Sequence, residues 1–226
     1  MAKAGKIPQS YQNDFCPSYI KRTSDIRPRR RYYLIVCEGK KTEPNYFEAI
    51  QRILPRNMLQ LTIRGTGRNT LSLVAYTQNM VAERCRAGEP PYNNVWVVFD
   101  KDSFRNDLFD NAIAAINSNS NSKVKWQAAW SNEAFELWYI LHFSAQTGGG
   151  LSRNAYKKKL TLAMGRPYKK NSPDMFDLLK PHIKDAITRA ETSLNLQRGK
   201  PFHAQNPATT VHLLVQELLQ YIPNVI

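Results

Sequence analysis

The chain has 226 residues and a mass of 26.0 kDa, with 42% hydrophobic and 22% charged residues, which is globular composition and enough length to bury a core without disulfide or zinc staples. Lys and Arg number 32 against 18 Asp and Glu, a net charge of +14 with a pI near 9.8, so a polyanion such as nucleic acid is the first partner to consider. No long apolar run or basic amphipathic helix points to a membrane, Cys16, Cys37 and Cys85 form no CxxC pair, and no apolar leader opens the chain, so a reduced cytoplasmic location is expected.

Residues 1–30 read as a basic arm, with Pro8, Pro17 and Pro28 and a closing cluster of Arg27, Arg29, Arg30 and Arg31. Such an arm either packs loosely as a solvated tail or straps phosphates, with Arg29 and Arg30 as candidate contacts. Residues 31–147 then alternate apolar runs with helical periodicity. Tyr32-Tyr33-Leu34-Ile35-Val36-Cys37 is continuous and apolar, as in a strand buried on both faces, and stops at Glu38-Gly39-Lys40-Lys41. Thr42 is a candidate N-cap, Glu43 suits the positive end of the helix dipole, and Pro44 is tolerated in a first turn. Tyr46, Phe47, Ile50, Ile53 and Leu54 recur at helical spacing until Pro55.

Leu59-Gln60-Leu61-Thr62-Ile63 alternates as a strand should, and a loop over 65–70 leads into a helix carrying Leu71, Val74, Ala75, Met80 and Val81. Val95-Trp96-Val97-Val98-Phe99 is a second fully apolar strand, ending at Asp100-Lys101-Asp102. A helix over about 107–117, a strand over 124–130 and a helix over 132–143 capped by Ser131 are predicted next. This alternation predicts an α/β domain with a mostly parallel sheet flanked by helices. After Gly148-Gly149-Gly150, residues 148–226 predict a helical C-terminal extension packed on the core, with a long helix over 173–196 and a last one over 209–221.

In a chain so poor in acids, the placement of three carboxylates carries information. Glu38 ends one buried strand, and Asp100 and Asp102 end another. In open α/β sheets ligands bind beyond the carboxyl ends of the strands, so these side chains can converge on one crevice. Hard oxygen donors without Cys or His at ligand spacing suit Mg²⁺ or Mn²⁺, which activates water and stabilises charge in phosphodiester cleavage. The plain alternative is that each acid is a polar strand end or a helix cap.

The motifs Leu34-Ile35-Val36-Cys37-Glu38-Gly39 and Val97-Val98-Phe99-Asp100-Lys101-Asp102 resemble a Toprim domain, in which a Glu follows the first strand and an Asp-x-Asp follows a later one. Together with Glu38-Gly39-Lys40-Lys41-Thr42-Glu43-Pro44-Asn45-Tyr46-Phe47, Asn132-Glu133-Ala134-Phe135-Glu136-Leu137-Trp138, His142-Phe143 and Asn206-Pro207-Ala208-Thr209-Thr210-Val211, they resemble the RloB-like family over roughly residues 30–220. The resemblance implies a Toprim-like fold and a metal-dependent nuclease of prokaryotic abortive-infection defence against phage, acting on RNA such as tRNA or on DNA. It also implies an AAA-type ATPase partner, similar to the OLD family, encoded nearby. It favours Glu136 as a fourth metal ligand. Glu133 departs from the small or apolar residue expected in relatives.

Other groups are weaker candidates. Arg68, between Gly67 and a helix start, can contact phosphate. Lys40, Lys41 and Lys101 either steady phosphates or balance the neighbouring acids, and His142 has the ordinary pKa of a proton-transfer group. Lys157, Lys158 and Lys159 with Lys169 and Lys170 read as a basic face. Two rivals to the nuclease stand: a Toprim nucleotidyl transferase, and a non-catalytic nucleic-acid-binding or regulatory subunit whose acids only organise the fold. Homo-oligomerisation stays open.

Overall fold

The two continuous apolar runs become neighbouring strands of a five-stranded sheet. β1 (Arg31–Cys37) lies beside β3 (Asn94–Asp100), with β2 (Leu59–Gly65) beyond β1 and β4 (Lys125–Asn132) beyond β3, all four parallel. β5 (Ala208–Thr209) pairs antiparallel with β4, giving the order β2-β1-β3-β4-β5. The computed structural model describes residues 30–102 and 104–222, so all of the basic arm except Arg30, Arg29 included, lies outside the described residues.

Side chains alternate across a strand, and here both faces are buried, which is why β1 and β3 read as unbroken apolar sequence. Tyr33, Ile35, Cys37, Trp96 and Val98 enter one apolar layer, while Leu34, Val36, Val95, Val97 and Phe99 enter the other. The first layer is covered by α1 (Thr42–Ile53), α4 (Glu136–Leu141), α5 (Arg153–Met164), α6 (Met175–Leu179), α7 (Ile183–Leu196) and α8 (Val211–Leu219). The second is covered by α2 (Thr70–Arg86) and α3 (Asn106–Ser118). The result is a Toprim-like α/β sheet with additional C-terminal helices. Trp96 and Trp138 are fully buried, and truncating either to Ala is expected to cost about 3–5 kcal/mol.

Four expectations about elements need correction. Ser131 does not cap a helix: β4 runs through it to Asn132, because Ser131 and Asn132 pair with Thr209 and Ala208, and the helix starts only at Glu136. The helix expected over 173–196 is interrupted by a 3-10 turn at Lys180–His182, since Pro181 lacks the N–H an α-helix needs. Thr209 belongs to β5, so the last helix runs over Val211–Leu219. Thr42 is the first helical residue instead of the cap, and its hydroxyl donates to Asn171 Oδ1 at 2.7 Å. The extension is therefore not only helical, since residues 148–222 contribute a strand to the sheet and pack in its larger core.

Candidate active site

The register of the sheet brings the strand-end acids together. Cys37 lies opposite Val98, and the Glu38 amide continues the ladder by donating to the Val98 carbonyl at 2.8 Å. That places the Glu38 side chain beside the end of β3, where its Oε2 accepts from the Asp100 amide at 3.2 Å. Beyond Asp100 the chain is pinned to the tail of β4: the Lys101 amide donates to the Ser131 carbonyl at 2.8 Å and the Asp102 amide to the Glu133 carbonyl at 3.0 Å. Asp102 sits at φ 38°, a left-handed conformation that is uncommon outside glycine, and this reversal turns its carboxylate back toward that of Asp100.

One cation takes up both aspartates. Arg153 Nη2, at the first residue of α5, lies 3.0 Å from Asp100 Oδ2 and 3.4 Å from Asp102 Oδ2. Burial opposes the guanidinium's charge, but Asp100, Asp102, Glu136 and Glu43 together hold its pKa above the usual value. Two further buried acids complete the cluster. Glu43, in the first turn of α1, and Glu136, at the start of α4, are both charge neighbours of Asp100. Glu136 Oε1 accepts from the Tyr168 hydroxyl at 3.3 Å, whereas Glu43 Oε2 has no hydrogen-bond partner among the described residues.

Gathering acids out of water shifts their protonation. Burial, with smaller contributions from Glu43 and Asp102, raises Glu38 from 4.5 to about 7, against the Asp100 amide and Arg153. Burial and then the charge of Glu43 push Asp100 well up despite Arg153, and burial likewise raises Glu43. The donors fit a hard divalent cation: they are all carboxylate oxygens, burial makes Glu38, Glu43 and Asp100 resist ionising, and Glu43 Oε2 is an orphaned buried oxygen in their midst. As arranged around Arg153, no three Asp, Glu, His or Cys side chains among the described residues form a ready-made ligand cage.

The loop after β2 borders the same crevice. Thr66 and Gly67 amides donate to the carbonyls of Cys37 and Glu38 at 3.0 and 2.7 Å. A Cβ at Gly67, φ +70°, would lie 2.5 Å from Lys40 Cε, so the Lys40 stem crosses this glycine. Lys40, Lys41 and Arg68 are exposed there, with the Arg68 guanidinium 4.6 Å from the Tyr76 ring centroid. Gly39 has a packing role too: a Cβ on it would lie 2.0 Å from Glu43 Oε2, so Gly39 is what admits that carboxylate.

Three expected site residues stand elsewhere. Lys101 is buried and its ammonium folds back to donate to the Phe104 carbonyl, so it does not reach toward a substrate phosphate. His142 is enclosed in the core, its Nδ1 bonded to the Trp138 carbonyl at 2.9 Å and its ring 4.7 Å from that of Trp138. Burial pushes its pKa down to about 3, which leaves it neutral and unsuited to proton transfer. Arg30 precedes β1, about 26 Å of extended chain away from Glu38 at roughly 3.3 Å per residue, at the opposite end of the sheet.

The cluster also holds residues for which sequence reading assigned no role here. Glu43 was explicable by the helix dipole alone, yet a first-turn residue after a strand ending at Cys37 has little choice but to lie near Glu38. Arg153 left one faint signal, a cation at a helix N-terminus, where the dipole disfavours it unless acids compensate. Tyr168 left none.

A family model described as RloB-like protein matches residues 33–218, most of the chain. No curated protein and no solved structure matches.

Proposed function

The chain belongs to the RloB-like protein family, and from that premise we propose that it is a divalent-metal-dependent nuclease hydrolysing phosphodiester bonds, with RNA such as tRNA favoured over DNA. The observation that carries this reading is the convergence of Glu38, Glu43, Asp100, Asp102 and Glu136 at the carboxyl end of a parallel sheet in a chain of net charge +14. Burial in this cluster raises the pKa of Glu38, Glu43 and Asp100, a cost that structure alone does not require and a cation offsets. The preference for RNA, the role as an abortive-infection effector and the ATPase partner rest on the family resemblance.

Asp100, Asp102 and Glu38 would hold Mg²⁺ or Mn²⁺, with Glu43 and Glu136 behind them, and the ion would supply an acidified water and charge stabilisation at the phosphoryl group. The chain's own groups do the remaining work. Glu38 either shares the ion or acts as the general base that accepts a proton from the attacking water. Lys40 and Arg68, exposed at the rim, hold the phosphate on either side of the cleaved bond. Arg153 keeps the two aspartates side by side and neutralises part of their charge.

That same Arg153 contact favours a second reading, in which a guanidinium satisfies the acids for good and the protein is a non-catalytic nucleic-acid-binding subunit. The test is incubation of total tRNA, plasmid and single-stranded DNA with purified protein and Mg²⁺ or Mn²⁺, beside Asp100→Ala and a chelator control. Cleavage lost in both controls is the expected result. Metal-independent, steeply salt-dependent binding with no cleavage, and no heat of metal binding by calorimetry, supports the second reading instead.

A further inference from the structure

The amino end of the sheet carries a feature that the acidic crevice does not use. A cavity of about 1060 Å³ opens there, lined among others by Arg30, Arg31, Lys123 and Lys125, and none of these four is ion-paired among the described residues. The cations come from separate strands. Arg31 opens β1, Lys125 opens β4 two strands away, and Lys123 is presented by a turn in which Asn121 Oδ1 accepts from the amides of Lys123 and Val124 at 2.9 and 3.0 Å. At about 4.8 Å per strand spacing, the two basic sides stand roughly 10 Å apart.

The floor between them is already organised. The Glu217 carboxylate, the one acid in the lining, is occupied by the Asn94 and Gln127 amides, and the Tyr33 and Tyr221 hydroxyls meet at 3.1 Å. Half-buried Met58 and Tyr221 add apolar surface. A second cavity, about 430 Å³, shares Arg30 with the first and continues to Arg52 and Arg56. Unpaired cations around a concave floor call for an anion, and their continuation through Arg30 into a second basic hollow calls for one with many charges in a row.

We propose that these two cavities form a track for a nucleic-acid strand, running along the amino end of the sheet from Lys123 and Lys125 past Arg30 and Arg31 to Arg52 and Arg56. It extends the nuclease reading by naming where a substrate is held remote from the acids. The two sites are separated by the length of β1, so a substrate engaging both is a folded or long nucleic acid and not a mononucleotide.

The test is fluorescence anisotropy with a labelled 20-nucleotide single strand, as RNA and as DNA, in EDTA so that nothing is cut. Lys123→Glu/Lys125→Glu and Arg52→Glu/Arg56→Glu are compared with Lys180→Glu/Lys184→Glu, an equal charge change on exposed residues of another face. Each track variant is expected to bind at least tenfold more weakly than that control. Its log–log salt slope should be smaller by about 1.4, at roughly 0.7 per lost phosphate contact on a single strand. Equal weakening in all three variants overturns the track, since net charge alone would explain it. AMP binding as tightly as the 20-mer, with no effect of the Arg52/Arg56 pair, also overturns it in favour of a small-anion pocket. The two readings fail separately: binding along the track without cleavage by the wild-type protein retires the nuclease alone, and cleavage with unchanged affinity in both track variants retires the track alone.

Discussion

The same strands end in opposite chemistry. At their carboxyl ends β1 and β3 deliver Glu38, Asp100 and Asp102 to a cluster with buried Glu43 and Glu136, its aspartates paired to one arginine; at their amino ends β1 and β4 present Arg31 and Lys125 over an open cavity with no ion-pair partner among the described residues. In a parallel sheet every strand points the same way, so residues before and after the apolar runs sort onto two separate surfaces. Burial makes the acidic end selective, because a buried charge must be matched by a specific cation or proton. Exposure makes the basic end permissive, because solvated cations bind any phosphate chain with a strength set by salt.

Breaking the acidic end should have the largest effect. Asp100→Asn keeps the size of the side chain and removes its charge, and is expected to lower cleavage on the order of a hundred- to a thousandfold, the scale of losing one transition-state contact, while nucleic-acid affinity in EDTA stays unchanged. A parallel fall in affinity would mean that the two ends are not independent.

Arg153→Ala should destabilise next. Its side chain is 28% exposed, so the expected cost is about 1–3 kcal/mol, below the 3–5 kcal/mol of a fully buried pair. The cost should be larger at pH 8 than at pH 5, because burial lifts Glu38 to about 7 and shifts Asp100 and Glu43 upward too, so the negative charge that Arg153 offsets grows with pH; Mn²⁺ should reduce the cost at the higher pH. Thermal melts at the two pH values, with and without metal, give the comparison.

The wild-type protein carries a milder form of the same signature. Because folding raises Glu38 from 4.5 to about 7, the folded state holds a proton that the unfolded chain has already lost between those values. Stability should therefore decline as pH rises through this window without metal, and flatten when Mg²⁺ or Mn²⁺ is present. A melting temperature that climbs across the same window in EDTA would contradict the assigned shift. The smallest effect expected is that of Tyr168→Phe, which removes the 3.3 Å bond to Glu136 and should cost about 1 kcal/mol with little change in cleavage.

How much of this was legible in the sequence depended on distance along the chain. The strands were readable because double burial leaves unbroken apolar runs such as 32–37 and 95–99, and the strand-end acids followed from those runs. Ser131 was misread because a polar residue after a strand is an ordinary helix cap; only Thr209, 78 residues later, makes it a ladder position, with their hydroxyls 2.9 Å apart. His142 was misplaced because its residue type carries a neutral-range pKa in solution, whereas enclosure beside Trp138 removes it. Arg153 reaches Asp100 across 53 positions, and neither local propensity nor periodicity encodes such a meeting. Arg30 is legible as a basic-arm residue, but its distance from the acids is not, because only the strand between them sets the two ends apart in space.

The two-residue strand β5 has a consequence for synthesis of the chain. It and the turn after it close the far edge of β4, through Ser131–Thr209 and Asn132–Ala208 pairing and through Thr210, whose amide and hydroxyl bond the Trp130 carbonyl and amide at 2.9 Å each. Every acid of the crevice leaves the ribosome well before these residues do. Until they arrive, β4 offers an unpaired edge flanked by Trp126 and Trp130, the kind of template on which nascent chains aggregate. A chain stopped near residue 205 is thus expected to collect in inclusion bodies, with its complement of acids intact but no soluble sheet to hold them.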